Sequence, residues 1–168
     1  MSQDRPAKLI ELAQDLAAMN PEFQAVLGPG VGDKATGEFM RRLRERASVH
    51  FGSDYSEKQI CGQNALSVDF YFPEEKTIVE VALGLPNPAT EFEKDVLKAI
   101  MAQETGKAVI RLVFISRAGA ARKCSQPGRN AVKAWAKSKH GLAIEVHDLH
   151  GEPRKRKHRR KSSPVPNI

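Results

Sequence analysis

Leu66-Ser67-Val68-Asp69-Phe70-Tyr71-Phe72 and Thr77-Ile78-Val79-Glu80-Val81-Ala82-Leu83, separated by Pro73-Glu74-Glu75-Lys76, decide the fold of this chain. Both runs are rich in β-branched and aromatic residues, and the polar segment opening on Pro73 breaks them, the pattern of a β-hairpin. A turn centred on Glu74-Glu75 faces Phe72 with Thr77, and counting outward places Asp69 opposite Glu80. Strand side chains alternate between faces. One face then carries Val68, Phe70, Phe72, Val79 and Val81, and the other Ser67, Asp69, Tyr71, Ile78, Glu80 and Ala82. Two carboxylates about 4 Å apart repel by about 4 kcal/mol at an effective dielectric near 20. Directly opposed acids in mid-strand therefore call for a bound divalent cation or a shared proton. The plain alternative is two exposed acids on an uncovered sheet face, paired with neighbouring bases.

Outward from the hairpin, the elements alternate. Helices are expected over 6–19 and 36–47, with a short strand over 57–61 before the hairpin. After it, residues 90–105 read as a helix burying Phe92, Val96, Ala99, Ile100 and Gln103. The run Ala108–Ile115 is apolar but for Arg111, as in a strand covered on both faces. A helix over 129–140 follows, with Trp135 expected as a core anchor, and then a last strand over 142–147. This order gives an α/β fold with a mixed central β-sheet flanked by helices. The division expected is an N-terminal helical extension over 1–35, an α/β domain over 36–150 and a basic tail over 151–168. The glycine cluster at 28–32 reads as a connection, because no strand precedes it and the lysine pattern of a phosphate loop is missing.

With 168 residues, 40% of them hydrophobic, the chain is long enough for one ordinary core. No apolar run approaches the ~20 residues of a membrane span. Cys61 and Cys124 lack metal-type spacing and suit a reducing, cytoplasmic setting as buried thiols. The net charge of +7 is localised. Seven Lys/Arg residues lie between Arg154 and Lys161, among them Arg154, Lys155, Arg156 and Lys157. Without those seven, the 27 basic residues fall to 20, equal to the 20 acids. Inside the body, Arg117 to Lys139 carries seven bases and no acid, including Arg117, Arg122, Lys123 and Arg129. Together with Arg41 and Arg42 of the 36–47 helix, these basic stretches are the candidates for meeting a nucleic-acid backbone.

With Asp69 on one hairpin strand, Glu80 on the next, and a helix, three-strand meander, helix, strand order, residues 36–147 resemble the PD-(D/E)xK nucleases, the restriction-endonuclease-like superfamily. That motif is an aspartate, then Glu or Asp, any residue, and Lys. Asp69 and Glu80 match the acids, while Ala82 stands at the lysine position. Some members supply the lysine from the following helix, where Lys94 and Lys98 stand one turn apart, and the sequence does not choose between them. The resemblance also implies a glutamate from the first core helix in the metal site, with Glu38 the first candidate and Glu45 the second. It implies an α-β-β-β-α-β core plus a further α-β, Mg²⁺ or Mn²⁺ as cofactor, nucleic acid (DNA first) as partner, and a homodimer if both strands of a duplex are cut. The alternative is a nucleic-acid-binding protein on an inactive nuclease-like scaffold, since Ala82 removes the usual lysine.

Overall fold

A computed structural model describes residues 4–24, 31–85 and 91–149. The elements run α1 (Arg5–Met19), a 3₁₀ turn (Pro21–Gln24), α2 (Val31–Phe51), β1 (Ser56–Lys58), β2 (Val68–Phe72), β3 (Thr77–Val81), α3 (Glu91–Glu104), β4 (Arg111–Ser116), α4 (Ala120–Lys123), α5 (Pro127–His140) and β5 (Ala143–Asp148). The five strands form one mixed sheet in the order β1-β2-β3-β4-β5. β1, β2 and β3 are an antiparallel meander, and β3, β4 and β5 are parallel. The two parallel steps cross over through α3 and through α4–α5, the connection a parallel pair requires.

The expected turn is present. Lys76 N–H donates to the Pro73 carbonyl at 3.2 Å, and Lys76 takes the left-handed conformation that closes the loop (φ 51°). From there Phe72 faces Thr77, Tyr71 faces Ile78 and Phe70 faces Val79. The next opposed positions are Asp69 and Glu80, as the turn centre dictates.

Both faces of the sheet are covered, which is why every residue of β3 is buried. On one face α1 and α2 bring Leu9, Ile10, Phe39 and Leu43 onto Phe70, Phe72, Val79, Val81, Val113 and Ile115. On the other, α3 and α5 bring Phe92, Val96, Ala99 and Ala136 onto Ile78, Ala82, Leu112 and Phe114. The residue-35 boundary expected from composition falls inside α2, and α1 shares the first core with α2 and the sheet. An uncovered polar face of the hairpin is likewise not what forms, because α3 lies over it. Val68 packs with this α3-side cluster and not with Phe70, at the place where the β2–β3 ladder is interrupted.

Asp4 caps α1 by accepting from Ala7 N–H at 3.2 Å, and Arg5 ties that helix start to the hairpin turn through Glu75 at 2.9 Å. Cys61 and Cys124 are both buried free thiols. Among the described residues no helix is long and apolar enough to cross a membrane. The basic tail and most of the glycine cluster lie outside the described residues.

Candidate functional site

Opposed acids in an antiparallel pair should push the strands apart, and here the carboxylates take over the ladder themselves. Asp69 N–H donates to Glu80 Oε2 at 3.2 Å, and Val81 N–H donates to Asp69 Oδ2 at 2.8 Å. Each strand thus offers a backbone donor to the carboxylate of the other. Hydrogen bonds to a charged acceptor stabilise by about 1.5–3 kcal/mol each, enough to offset much of the repulsion that the register creates.

The two acids differ in environment. Asp69 is partly exposed, whereas Glu80 is 2% exposed beneath α3. Lys98 of α3, itself 7% exposed, places Nζ 2.6 Å from Glu80 Oε1 and 2.8 Å from Asp95 Oδ1. It also donates to the Ser67 carbonyl at 3.0 Å. The approach to Glu80 Oε1, itself buried, is a close ion pair. Of the two lysines left open by the sequence, Lys98 joins the acids, while Lys94 is exposed. The helix is docked through Phe92, Val96, Ala99 and Ala102, and this rotation carries Asp95 and Lys98 inward along with the apolar stripe. Ile100 and Gln103, expected inside, are only partly buried.

Titration follows from this crowding. Burial raises the Glu80 pKa well above the ordinary carboxylate value, and the charges of Asp95 and Asp69 add to the rise. Burial also raises Asp95, against the pull of Lys98. Glu91, at the start of α3, is raised by burial and then by Asp95 and Asp69. Lys98 is held protonated above its usual range by Glu80 and Asp95, although burial opposes this. Gly84 lets this end of the site close up, since a Cβ there would lie 2.9 Å from Glu91 Oε2. Asp95 and Glu91 were not legible as site residues, because charged positions on an amphipathic helix are ordinarily assigned to water.

The α2 residue at the acids is Arg44. Its Nη2 lies 3.9 Å from Asp69 Oδ1 and its Nη1 2.8 Å from Glu57, while Nε is buried without a partner. Glu38 is engaged elsewhere. Hydrogen bonds from Arg41 and Arg42 hold its pKa down to about 2, and Arg41 also bridges to Glu45. No contact joins Glu38 or Glu45 to Asp69 or Glu80 among the described residues. Nor do any three His, Cys, Asp or Glu side chains there form a ready set of metal ligands.

The expected phosphate-contacting residues divide. Arg41 and Arg42 are ion-paired on α2, and Arg42 also donates to Asn20 Oδ1 at 2.9 Å. Arg117 donates to the Phe23 and Leu83 carbonyls at 3.2 and 3.0 Å, and Arg129 to the Leu85 carbonyl at 3.2 Å. These two arginines clamp the segment that leaves β3. Arg122 and Lys123 are exposed on α4. Arg154, Lys155, Arg156 and Lys157 lie outside the described residues. Trp135 is not the expected core anchor: it is 45% exposed, because Ala136 is the α5 residue that turns fully inward. Comparison of the chain with protein-family models, with curated proteins and with solved structures finds no match.

Proposed function

We propose that this protein is a metal-dependent nuclease acting on DNA, with Asp69 and Glu80 holding Mg²⁺ or Mn²⁺ and Lys98 assisting. One observation carries the reading. Glu80 and Asp95, both buried, share the ammonium group of Lys98, and Asp69 lies within electrostatic reach of both. Uncompensated charge in a poorly hydrated place is costly unless a proton or a cation offsets it. The order of the sheet, with the two acids on adjacent antiparallel strands, supports a restriction-endonuclease-like core.

The donor set suits the ion. Carboxylate oxygens are what hard cations take, and Mg²⁺ is commonly held by one or two carboxylates plus water and substrate phosphate. Glu80 Oε1 is buried against Lys98, and a carboxylate oxygen keeps a second lone pair to give. A bound ion would acidify a water molecule and offset charge on the phosphate. The protein's own groups do the rest. Glu80 is fixed by Asp69 N–H and Asp69 by Val81 N–H, so their oxygens are preorganised. Lys98 presents a permanent positive charge beside Glu80, able to orient a nucleophilic water or neutralise phosphate oxygen.

Arg44 stands at the exposed side of Asp69 and is suited to a phosphate oxygen of the substrate. Losing one charge-assisted hydrogen bond to substrate should raise the KM for DNA about tenfold in Arg44→Ala, with a smaller change in kcat. Steady-state cleavage kinetics would show this, and a fall in kcat at constant KM would remove Arg44 from substrate binding.

The direct test is incubation of supercoiled plasmid and single-stranded DNA with the protein in Mg²⁺, in Mn²⁺ and in EDTA. Cleavage in the metals and not in EDTA is expected; no cleavage in any of the three sinks the nuclease reading. A second reading is favoured by one specific feature. Ala82 is buried and Lys98 is already committed to two carboxylates and a carbonyl, so the scaffold could bind nucleic acid without cutting it. It predicts salt-sensitive binding with no cleavage.

A further inference from the structure

α5 is a helix of unusual surface. It carries Arg129, Lys133, Lys137 and Lys139 and no acid, and the preceding α4 adds Arg122 and Lys123. Among the described residues Arg122, Lys123, Lys133, Lys137 and Lys139 make no ion pair, in contrast to Arg41, Arg42 and Arg44 of α2. Trp135, 45% exposed, stands one turn before Lys139 on the same side of α5, with Lys133 and Lys137 on the other flank, and its ring lies 4.9 Å from that of His140 in an edge-on contact. Leaving a large aromatic ring half in water forgoes the burial that ordinarily places tryptophan.

The helix is also tied to α3, which covers the candidate site. At its start Arg129 donates to the Leu85 carbonyl and lies 3.8 Å from Glu93 of α3. At its end the His140 carbonyl accepts from Gln103 of α3 at 3.0 Å. Ala136 packs into the same layer as Phe92 and Val96. α5 therefore flanks α3 on the sheet face toward which Glu80 points.

We propose that α5 is a docking surface for an unpaired stretch of nucleic acid, with Trp135 stacking on a base and the α4–α5 cations meeting phosphates. The choice of partner follows from charge and shape together. A polyanion satisfies the unpaired cations, and a base satisfies the exposed ring, since aromatic stacking on single strands tolerates any base. In a duplex the bases already stack on one another, so Trp135 adds affinity only where a base is out of the helix. The inference rests on the nuclease reading for its nucleic-acid partner, but not on cleavage.

Trp135 is the only tryptophan in the chain, so selectively excited tryptophan fluorescence reports this surface alone. The full-length protein is titrated in EDTA with oligothymidylate, with the matched duplex and with inorganic polyphosphate. Quenching by oligothymidylate is expected, with little by the duplex and none by polyphosphate, which has charge but no bases. Measured by the anisotropy of a labelled oligothymidylate, because these variants lack the tryptophan, Trp135→Ala should weaken single-strand binding about tenfold, the loss of one stacked base, while Trp135→Phe retains most of it. Replacing Lys133, Lys137 and Lys139 together by Gln should reduce the salt slope of single-strand binding by about 2. Absent quenching at saturation, equal quenching by duplex, or unchanged affinity in Trp135→Ala overturns the proposal. Quenching without metal-dependent cleavage leaves the docking surface standing and removes the nuclease; cleavage without quenching does the reverse.

Discussion

Asp69→Asn should leave the protein folded and lower metal-dependent cleavage by at least about a hundredfold, the scale of single electrostatic groups in active sites. Asn is the informative substitution. It keeps an oxygen to accept Val81 N–H, the bond that replaces the strand ladder at 2.8 Å. Asp69→Ala instead leaves that N–H without its acceptor, at a cost of about 1–3 kcal/mol if it stays dry. Asn also removes one of the charges that raise the Glu80 pKa. A carboxyl with a raised folded pKa binds its proton more tightly in the folded than in the unfolded state. Its penalty on stability therefore grows as pH rises from the unfolded pKa through the folded one. Relieving it should make Asp69→Asn equal to or more stable than the wild type at neutral pH, in the manner of sites that trade stability for function. Urea midpoints and plasmid cleavage measured on the same sample decide the matter. Cleavage that survives the substitution would exclude Asp69 from the reaction, and Mn²⁺ binding unaffected by it would exclude Asp69 as a ligand.

Lys98→Met is expected to destabilise the protein by about 3–5 kcal/mol near neutral pH, because it strands Glu80 and Asp95 without their counter-charge. Met replaces the stem of the lysine and little else, so packing alone predicts a small loss. The pH dependence separates the two causes. Without the ammonium group both carboxyls should hold protons more tightly in the folded state. The gap between wild type and variant should then narrow as pH falls into the carboxylate range and widen as pH rises from there. At alkaline pH the sign changes. Lys98 has a raised folded pKa, so its contribution is complete below the unfolded value near 10.5 and is lost as pH rises through the folded one. Wild type should lose stability there while Lys98→Met does not. Adding Glu80→Gln to Lys98→Met should recover part of the loss, since the two groups are coupled. A gap that stays constant from acid to neutral pH would mean that Lys98 acts through packing and not through charge.

What could be read before folding was what local geometry fixes. A turn centred on Glu74-Glu75 and a side-chain period of two leave one register, and that register brings Asp69 to Glu80. The alternation of strands and helices likewise led to the mixed sheet, because a parallel pair needs a crossover. Lys94 and Lys98 were equivalent at this level, since both sit on the polar side of the same helix.

Only the tertiary structure separated them. The rotation of α3 about its axis is set by how Phe92, Val96, Ala99 and Ala102 seat on the sheet, and that seating buries Lys98 and Asp95 and leaves Lys94 in water. The same packing buried Glu80 beneath α3 and made Arg44, not Glu38, the α2 residue beside Asp69. Trp135 went the other way, outward, because Ala136 and Val132 are what α5 presents to the core. A sequence pattern ranks residues by their own affinity for water. Whether a charge is buried depends on which element comes to lie over it, and that is a property of the assembled layers.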